Sequence, residues 1–145
     1  MVAGQIFARE AFLLFLDLEI KRARRYQNFF SVMRFRLSGG GGGTGSQTNS
    51  LKSLAKLLRG EVRETDVLGQ TKKNEIMLIL PYCDSSGADV VNSRLNGLIR
   101  DFHFGKEEFK IDSGLVCFPV EATDMTEILK RLNTGPQSSR IEGMN

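Results

Sequence analysis

Few side chains in this 145-residue sequence are of the types that make and break bonds. The only histidine, His103, stands between Phe102 and Phe104; placed after a helical pattern, it reads as a turn residue and not as a ligand or base. Cys83 and Cys117 are too few for a disulfide framework and fit a reduced compartment. No Ser-His-Asp or Cys-His arrangement can be built at credible spacing. Gly39 to Gly43 is an unbroken glycine run with Gly45 following, but a phosphate-binding P-loop closes on Gly-Lys-Ser/Thr, and none is present. An Arg-x-x-Asp spacing occurs at Arg63-Glu64-Thr65-Asp66, and arginine can pair with an anion such as a phosphate through two parallel donors. By itself the spacing is weak, because 12 Arg and 7 Asp in 145 residues make a chance instance expected. Arg63 also reads as a solvated helix-end arginine capping carbonyls.

The composition sets limits on the rest. At 41% hydrophobic the chain has enough apolar mass for one domain with a real core. No apolar stretch approaches the roughly 20 residues of a membrane span, and Phe12 to Leu16 is cut off by Asp17 and Glu19 without a cleavage-like site, so it is no signal peptide. A cytoplasmic protein without a membrane partner is expected. Net charge is +3. Residues 1–65 carry 11 Lys/Arg against 5 Asp/Glu, and residues 66–145 carry 9 against 12. The basic first half admits an anionic partner. Lys21-Arg22-Ala23-Arg24-Arg25 lacks aromatic interleaving, however, and reads as a solvated helix face with no nucleic-acid partner.

The elements that must position these residues are legible from periodicity. Residues 6–29 read as an amphipathic helix with Leu13, Leu16, Ile20 and Ala23 on one face. Asp17 with Lys21 and Glu19 with Arg22 are spaced to pair on the other face. Residues 31–37 alternate as a strand, Met33, Phe35 and Leu37 against Val32, Arg34 and Arg36. Residues 38–49 read as a flexible glycine-rich loop. Leu51, Leu54, Ala55, Leu57, Leu58 and Val62 form a second helix, with Asn49 or Ser50 as cap. Val67 to Thr71, the polar tip Lys72-Lys73-Asn74 and the fully apolar Ile76 to Leu80 make a β-hairpin, stopped by Pro81, whose second arm suits a central strand. A third helix to about Asp101 buries Ala88, Val91, Leu95, Leu98 and Ile99; Phe109 to Phe118 is a long strand; and Asp124 to Leu132 is a short helix capped by Asp124 or Thr123. Residues 133–145 have the composition of a frayed tail.

This order, α-β-α-β-β-α-β-α, resembles that of the GGDEF family of diguanylate cyclases. Residues 16–31 look like the helix that opens such domains, and Ile111-Asp112-Ser113-Gly114-Leu115-Val116-Cys117-Phe118-Pro119 resembles the family's Ser-x-Gly-x-x-x-x-Pro strand. The hairpin resembles the one that carries the Gly-Gly-Asp-Glu-Phe signature. The implied fold, over residues 1–132 as one degenerate GGDEF-like domain, is α/β of the α+β kind: a mainly antiparallel sheet flanked by helices, related to ferredoxin-like and polymerase-palm folds. The signature positions fall on Lys72, Lys73, Asn74, Glu75 and Ile76, so only the Glu is kept. The family's metal-binding Asp-x-Asp falls on Arg36 and Ser38, and a guanidinium has no lone pair for a metal. Arg36 reads either as a surface arginine at a strand end or as a metal-free phosphate contact. The family's guanine-holding Asn and Asp are absent from the glycine-rich segment.

The resemblance and these losses together imply a fold kept and a cyclase activity lost, with no enzyme, cofactor or metal. The family's inhibitory Arg-x-x-Asp, which binds cyclic di-GMP five residues before the signature, falls on Arg63 and Asp66, with Val67 to Thr71 between. An additional family arginine on the following helix falls on Arg94. The expectation is a catalytically silent domain of second-messenger signalling that binds cyclic di-GMP through Arg63, Asp66 and Arg94. The other reading is an interaction module that uses the fold to form a homodimer or to contact a partner signalling domain.

Overall fold

The computed structural model describes residues 5–39, 43–101 and 109–133. In chain order these form β1 (Ile6–Ala8), α1 (Arg9–Tyr26), β2 (Phe30–Gly39), α2 (Gly43–Glu61) and β3 (Val67–Lys72). β4 (Glu75–Pro81), α3 (Ser85–Asp101), β5 (Phe109–Phe118) and α4 (Met125–Asn133) follow. The strands build one sheet in the order β1-β3-β4-β2-β5. β3, β4, β2 and β5 pair antiparallel, and only the β1–β3 pair is parallel. The mixed, mainly antiparallel architecture is as expected. β4, buried at every position, runs between β3 and β2 as its unbroken apolar pattern requires.

The sheet separates two apolar layers. On one side Met33, Phe35 and Leu37 of β2 join Leu51, Leu54 and Leu58 of α2 and Ala88, Leu95 and Ile99 of α3. On the other, Phe30 and Val32 join Phe12, Leu16, Ile20 and Ala23 of α1 and Ile128 and Leu132 of α4. The period-2 alternation of β2 therefore sends its side chains to different helix pairs. Both ion pairs expected on α1 form, Lys21–Asp17 at 2.8 Å and Arg22–Glu19 at 2.7 Å. α1 rests very close to β3: a Cβ on Gly69 would lie 2.6 Å from Phe12 Cδ1, so only glycine fits there. Asp124 caps α4, its Oδ1 accepting from Glu127 N–H at 2.8 Å.

Three boundaries differ from the sequence reading. The first helix covers Arg9–Tyr26 and not 6–29, because Ile6, Phe7 and Ala8 pair with Leu68, Gly69 and Gln70, a strand too short to show alternation. It ends at Gln27, whose backbone is left-handed (φ 54°) and whose N–H closes on the Ala23 carbonyl. The expected loop over 38–49 is also corrected: Ser38 and Gly39 end β2, and α2 begins at Gly43. Propensity opposes a helix at Gly43 and Gly45, but the packed turns around Leu51 and Leu54 supply the nucleus, and propagation from a formed nucleus is cheap. His103 and residues 134–145 lie outside the described residues, while Asn133 closes α4. Among the described residues no helix is long and apolar enough to cross a membrane.

Candidate functional site: two ends of β4

The β3–β4 hairpin brings the five expected signature positions to one edge of the fold. The tip closes onto β2 through Asn74, whose Nδ2 donates to the Leu37 carbonyl (2.9 Å) and whose carbonyl accepts Leu37 N–H (2.8 Å). Glu75 is 2% exposed and both its oxygens are engaged. The Thr71 hydroxyl donates to Oε1 at 2.8 Å, and Arg36 donates to Oε2 from Nη2 at 2.8 Å and Nε at 3.3 Å. Arg36 Nη2 also reaches Asn133 Oδ1 at 3.0 Å. Arg34 lies beneath, 1% exposed, its Nε donating to the Leu132 carbonyl at 2.6 Å and its Nη2 3.5 Å from Asp112 Oδ2. Burial lowers the Arg34 pKa, and the neighbouring Arg36 charge adds to that. Gly114 leaves room for this arginine: a Cβ there would lie 3.2 Å from the Leu132 oxygen and 3.5 Å from Arg34 Nη2.

A Mg²⁺ ion wants several oxygen donors without a competing cation. Here the Glu75 carboxylate is filled by Arg36 and Thr71, and among the described residues no group of three or more His, Cys, Asp or Glu side chains could hold a metal. The residues present do not fit the family's metal in this arrangement. Lys72 and Lys73 are exposed and, with Ile6, Phe7, Ala8, Gln70 and Thr71, line an open cleft of about 390 Å³. Ile76 is fully buried.

Arg63 and Asp66 pair at the opposite end of β4, and Arg94 reaches the end of α2, two residues ahead of Arg63. The α2–β3 turn folds Asp66 back on Arg63, with Asp66 Oδ2 accepting Arg63 N–H at 2.8 Å and Oδ1 accepting Arg63 Nη2 at 3.1 Å. Asp66 N–H donates in return to the Arg63 carbonyl at 3.0 Å. Arg63 Nη2 also donates to the carbonyl of Pro81, the last residue of β4, at 2.9 Å. Arg94 reaches across from α3 to the Glu61 carbonyl at 3.2 Å, at the end of α2. Both arginines thus cap carbonyls in this state. The Asp66 side chain is 3% exposed and that of Arg63 is 58% exposed. Behind them burial raises the Cys83 thiol pKa, the Arg63 charge opposing it.

Sequence reasoning missed several partners. Thr71 sits four residues before Glu75 across the hairpin tip, a signal that could have been used. The sequence pattern places Asn133 in the tail and marks Pro81 only as a strand stop, although Asn133 accepts from Arg36 and the Pro81 carbonyl anchors Arg63.

The family model described as "Diguanylate cyclase, GGDEF domain" matches residues 3–145. A curated relative from Escherichia coli K12, the probable diguanylate cyclase DgcE, is 26% identical over 98 residues. That match covers 68% of this chain but only 9% of the length of DgcE. Among solved structures, the GGDEF domain of DgcB from Caulobacter crescentus in complex with c-di-GMP superposes with a TM-score of 0.74 at 12% identity, over 99% of this chain and 88% of that one. The active GGEEF domain of a diguanylate cyclase from Vibrio cholerae gives 0.73 at 15% identity, over 89% and 87%. The expectation that the chain is no enzyme is overturned by this match. The family model and the curated relative both carry the description of a diguanylate cyclase, so the altered residues are departures within a cyclase family and do not place the chain outside it. The chain belongs to the GGDEF domain family.

Proposed function

We infer that this GGDEF domain works in a cyclic di-GMP signalling protein and binds cyclic di-GMP at the corner formed by Arg63, Asp66 and Arg94. The observation that carries this is the state of Arg63. Its guanidinium is more than half exposed and is steadied through Nη2 alone, against Asp66 and Pro81. The forks that suit a phosphate or the O6/N7 edge of guanine, Nη1–Nη2 and Nε–Nη2, both include Nη2, so a ligand takes either one in exchange for the Asp66 or Pro81 contact. Arg94 supplies a second exposed guanidinium from a separate element, tethered to the end of α2. Asp66 fixes the turn that presents Arg63, and it accepts guanine N1–H only when Arg63 swings away from it. Further support comes from DgcB, a protein of the same fold whose structure holds c-di-GMP.

Titration calorimetry with cyclic di-GMP tests this reading. Saturable binding is expected, and Arg63→Ala and Asp66→Ala should each weaken it by about ten- to hundredfold, the usual worth of a charge-assisted hydrogen bond. Arg94→Ala should cost less. Lys72→Ala, at the far end of β4, should leave affinity unchanged. The site is misplaced if Lys72→Ala weakens binding and Arg63→Ala does not.

A further inference from the structure

Tyr82, the first residue beyond β4, has the left-handed backbone (φ 55°) that favours glycine, and its side chain is largely exposed. A bulky residue in that region is uncommon, and it persists only where its surroundings fix it. Here they do. The Tyr82 N–H donates to the Phe29 carbonyl at 3.0 Å, which continues the β4–β2 pairing one step past Pro81. The hydroxyl accepts from Arg22 Nη1 at 2.8 Å, and the Arg22 guanidinium lies over the ring, 5.0 Å from its centroid. Arg22 is fixed in turn, because its Nη2 donates to both oxygens of Glu19, at 2.9 and 2.7 Å. Tyr26, one turn after Arg22 on α1, and Phe29, the pairing neighbour of Tyr82, are exposed as well.

This aromatic patch is continuous with the corner of Arg63 and Asp66. Pro81, whose carbonyl accepts from Arg63, directly precedes Tyr82, so the end of β4 has a guanidinium on its β3 side and a ring on its α1 side. We propose that Tyr82 extends the cyclic di-GMP site as a stacking platform. Arg63 and Asp66 engage one half of the ligand, and the second guanine lies on the open face of the Tyr82 ring. The inference rests on the reading of the corner as the ligand site. The chemistry of the ring favours a purine. A cation over one face and a hydrogen bond to the phenol oxygen both draw electron density out of the ring, which improves stacking of an electron-rich base on the other face. Stacking on an aromatic ring requires no pattern of hydrogen bonds, so one well-placed ring suffices. Because Glu19 and Arg22 hold that ring before a ligand arrives, little side-chain freedom is left to lose on binding. The left-handed backbone at Tyr82 turns the chain out of β4, and the ring with it, toward α1.

The chain has 2 tyrosines and no tryptophan, so fluorine NMR of the fluorotyrosine-labelled chain resolves Tyr82, with Tyr26→Phe assigning the signals. On titration with cyclic di-GMP the Tyr82 signal should shift saturably. In calorimetry Tyr82→Gly, which suits the left-handed backbone, should keep the melting temperature within a few degrees yet weaken cyclic di-GMP binding about tenfold. Tyr82→Phe keeps the ring and loses only the bond to Arg22, and should bind within about threefold of the intact chain. Binding that depends on Arg63, leaves the Tyr82 signal in place and is indifferent to Tyr82→Gly overturns the platform and spares the corner. Equal losses in Tyr82→Phe and Tyr82→Gly assign the effect to the hydroxyl and overturn stacking. Absence of any saturable binding overturns the platform and the corner together.

Discussion

At one end of β4 the Glu75 carboxylate is buried, and Thr71 and Arg36 occupy both its oxygens; at the other end Arg63 holds the Pro81 carbonyl with a guanidinium still largely in water. The seven residues of β4 separate these corners by about 20 Å. Each pairs an arginine with a carboxylate, yet the consequences differ. A desolvated carboxylate whose lone pairs are taken is part of the fold, because removing a partner leaves charge where water cannot reach it. An exposed guanidinium steadied through one nitrogen contributes little to stability and can take a new partner at small cost. Both carboxylates are buried, so the exposure of the guanidinium, 31% for Arg36 against 58% for Arg63, separates the structural ion pair from the candidate ligand site.

The largest effect should come from breaking the closed corner. Arg36→Ala leaves Glu75 buried with only the Thr71 hydroxyl, and should lower the unfolding free energy by about 3 kcal/mol in urea titration. Arg36→Lys should recover part of this through its charge but not through its two-nitrogen grip. A loss no larger than that of an ordinary surface substitution would mean that the two corners do not differ as described.

A somewhat smaller loss, about 2 kcal/mol, is expected for Gly69→Ala, which pushes a methyl into Phe12 and lifts α1 from β3. Gly69 lies on β3 between Asp66 and Thr71, so this variant asks whether the corners are coupled. Cyclic di-GMP affinity should be unchanged while the melting temperature falls.

Arg63→Ala should cost about 1 kcal/mol or less, because the buried Asp66 keeps the residue-63 N–H bond and the half-exposed guanidinium adds only one ion pair and one carbonyl cap, although it is the change expected to harm ligand affinity most. That reversal of rank between stability and affinity is the sharpest form of the comparison.

The smallest effect concerns pH. Burial raises the thiol pKa values of Cys83 and Cys117. A raised folded pKa on an acid gives stability that is complete while both states keep the proton. That stability is lost as pH climbs past the ordinary thiol value of about 8.5. The unfolding free energy should therefore decline slightly above that pH, and Cys83→Ala should flatten the decline.

The fold was legible wherever burial imposed a period. α1 and β2 show it, and β4 announced its central place by lacking a polar residue from Ile76 to Leu80. β1 was hidden because three residues cannot show alternation, and the start of α2 because glycine carries no sign of a helix propagated from packing downstream. Arg34 and Arg36 share one face of β2, which the alternation gave. That Arg34 would be buried under α4 and Arg36 locked to Glu75 depends on β2 lying beside β4 and β5, which no local pattern encodes. At the open corner, Arg63 and Asp66 are three residues apart and readable together. Arg94 comes to the end of α2, near them, only because α3 returns alongside it.

The central claim, that the ligand goes to the open corner and not to the closed one, is tested most directly by nitrogen-edited NMR of arginine-labelled protein during titration with cyclic di-GMP. The Nε–H signals of Arg63 and Arg94 should move saturably, while those of Arg34 and Arg36 stay in place. Movement of the Arg36 signal with Arg63 unchanged would contradict the account and place the ligand at the signature hairpin.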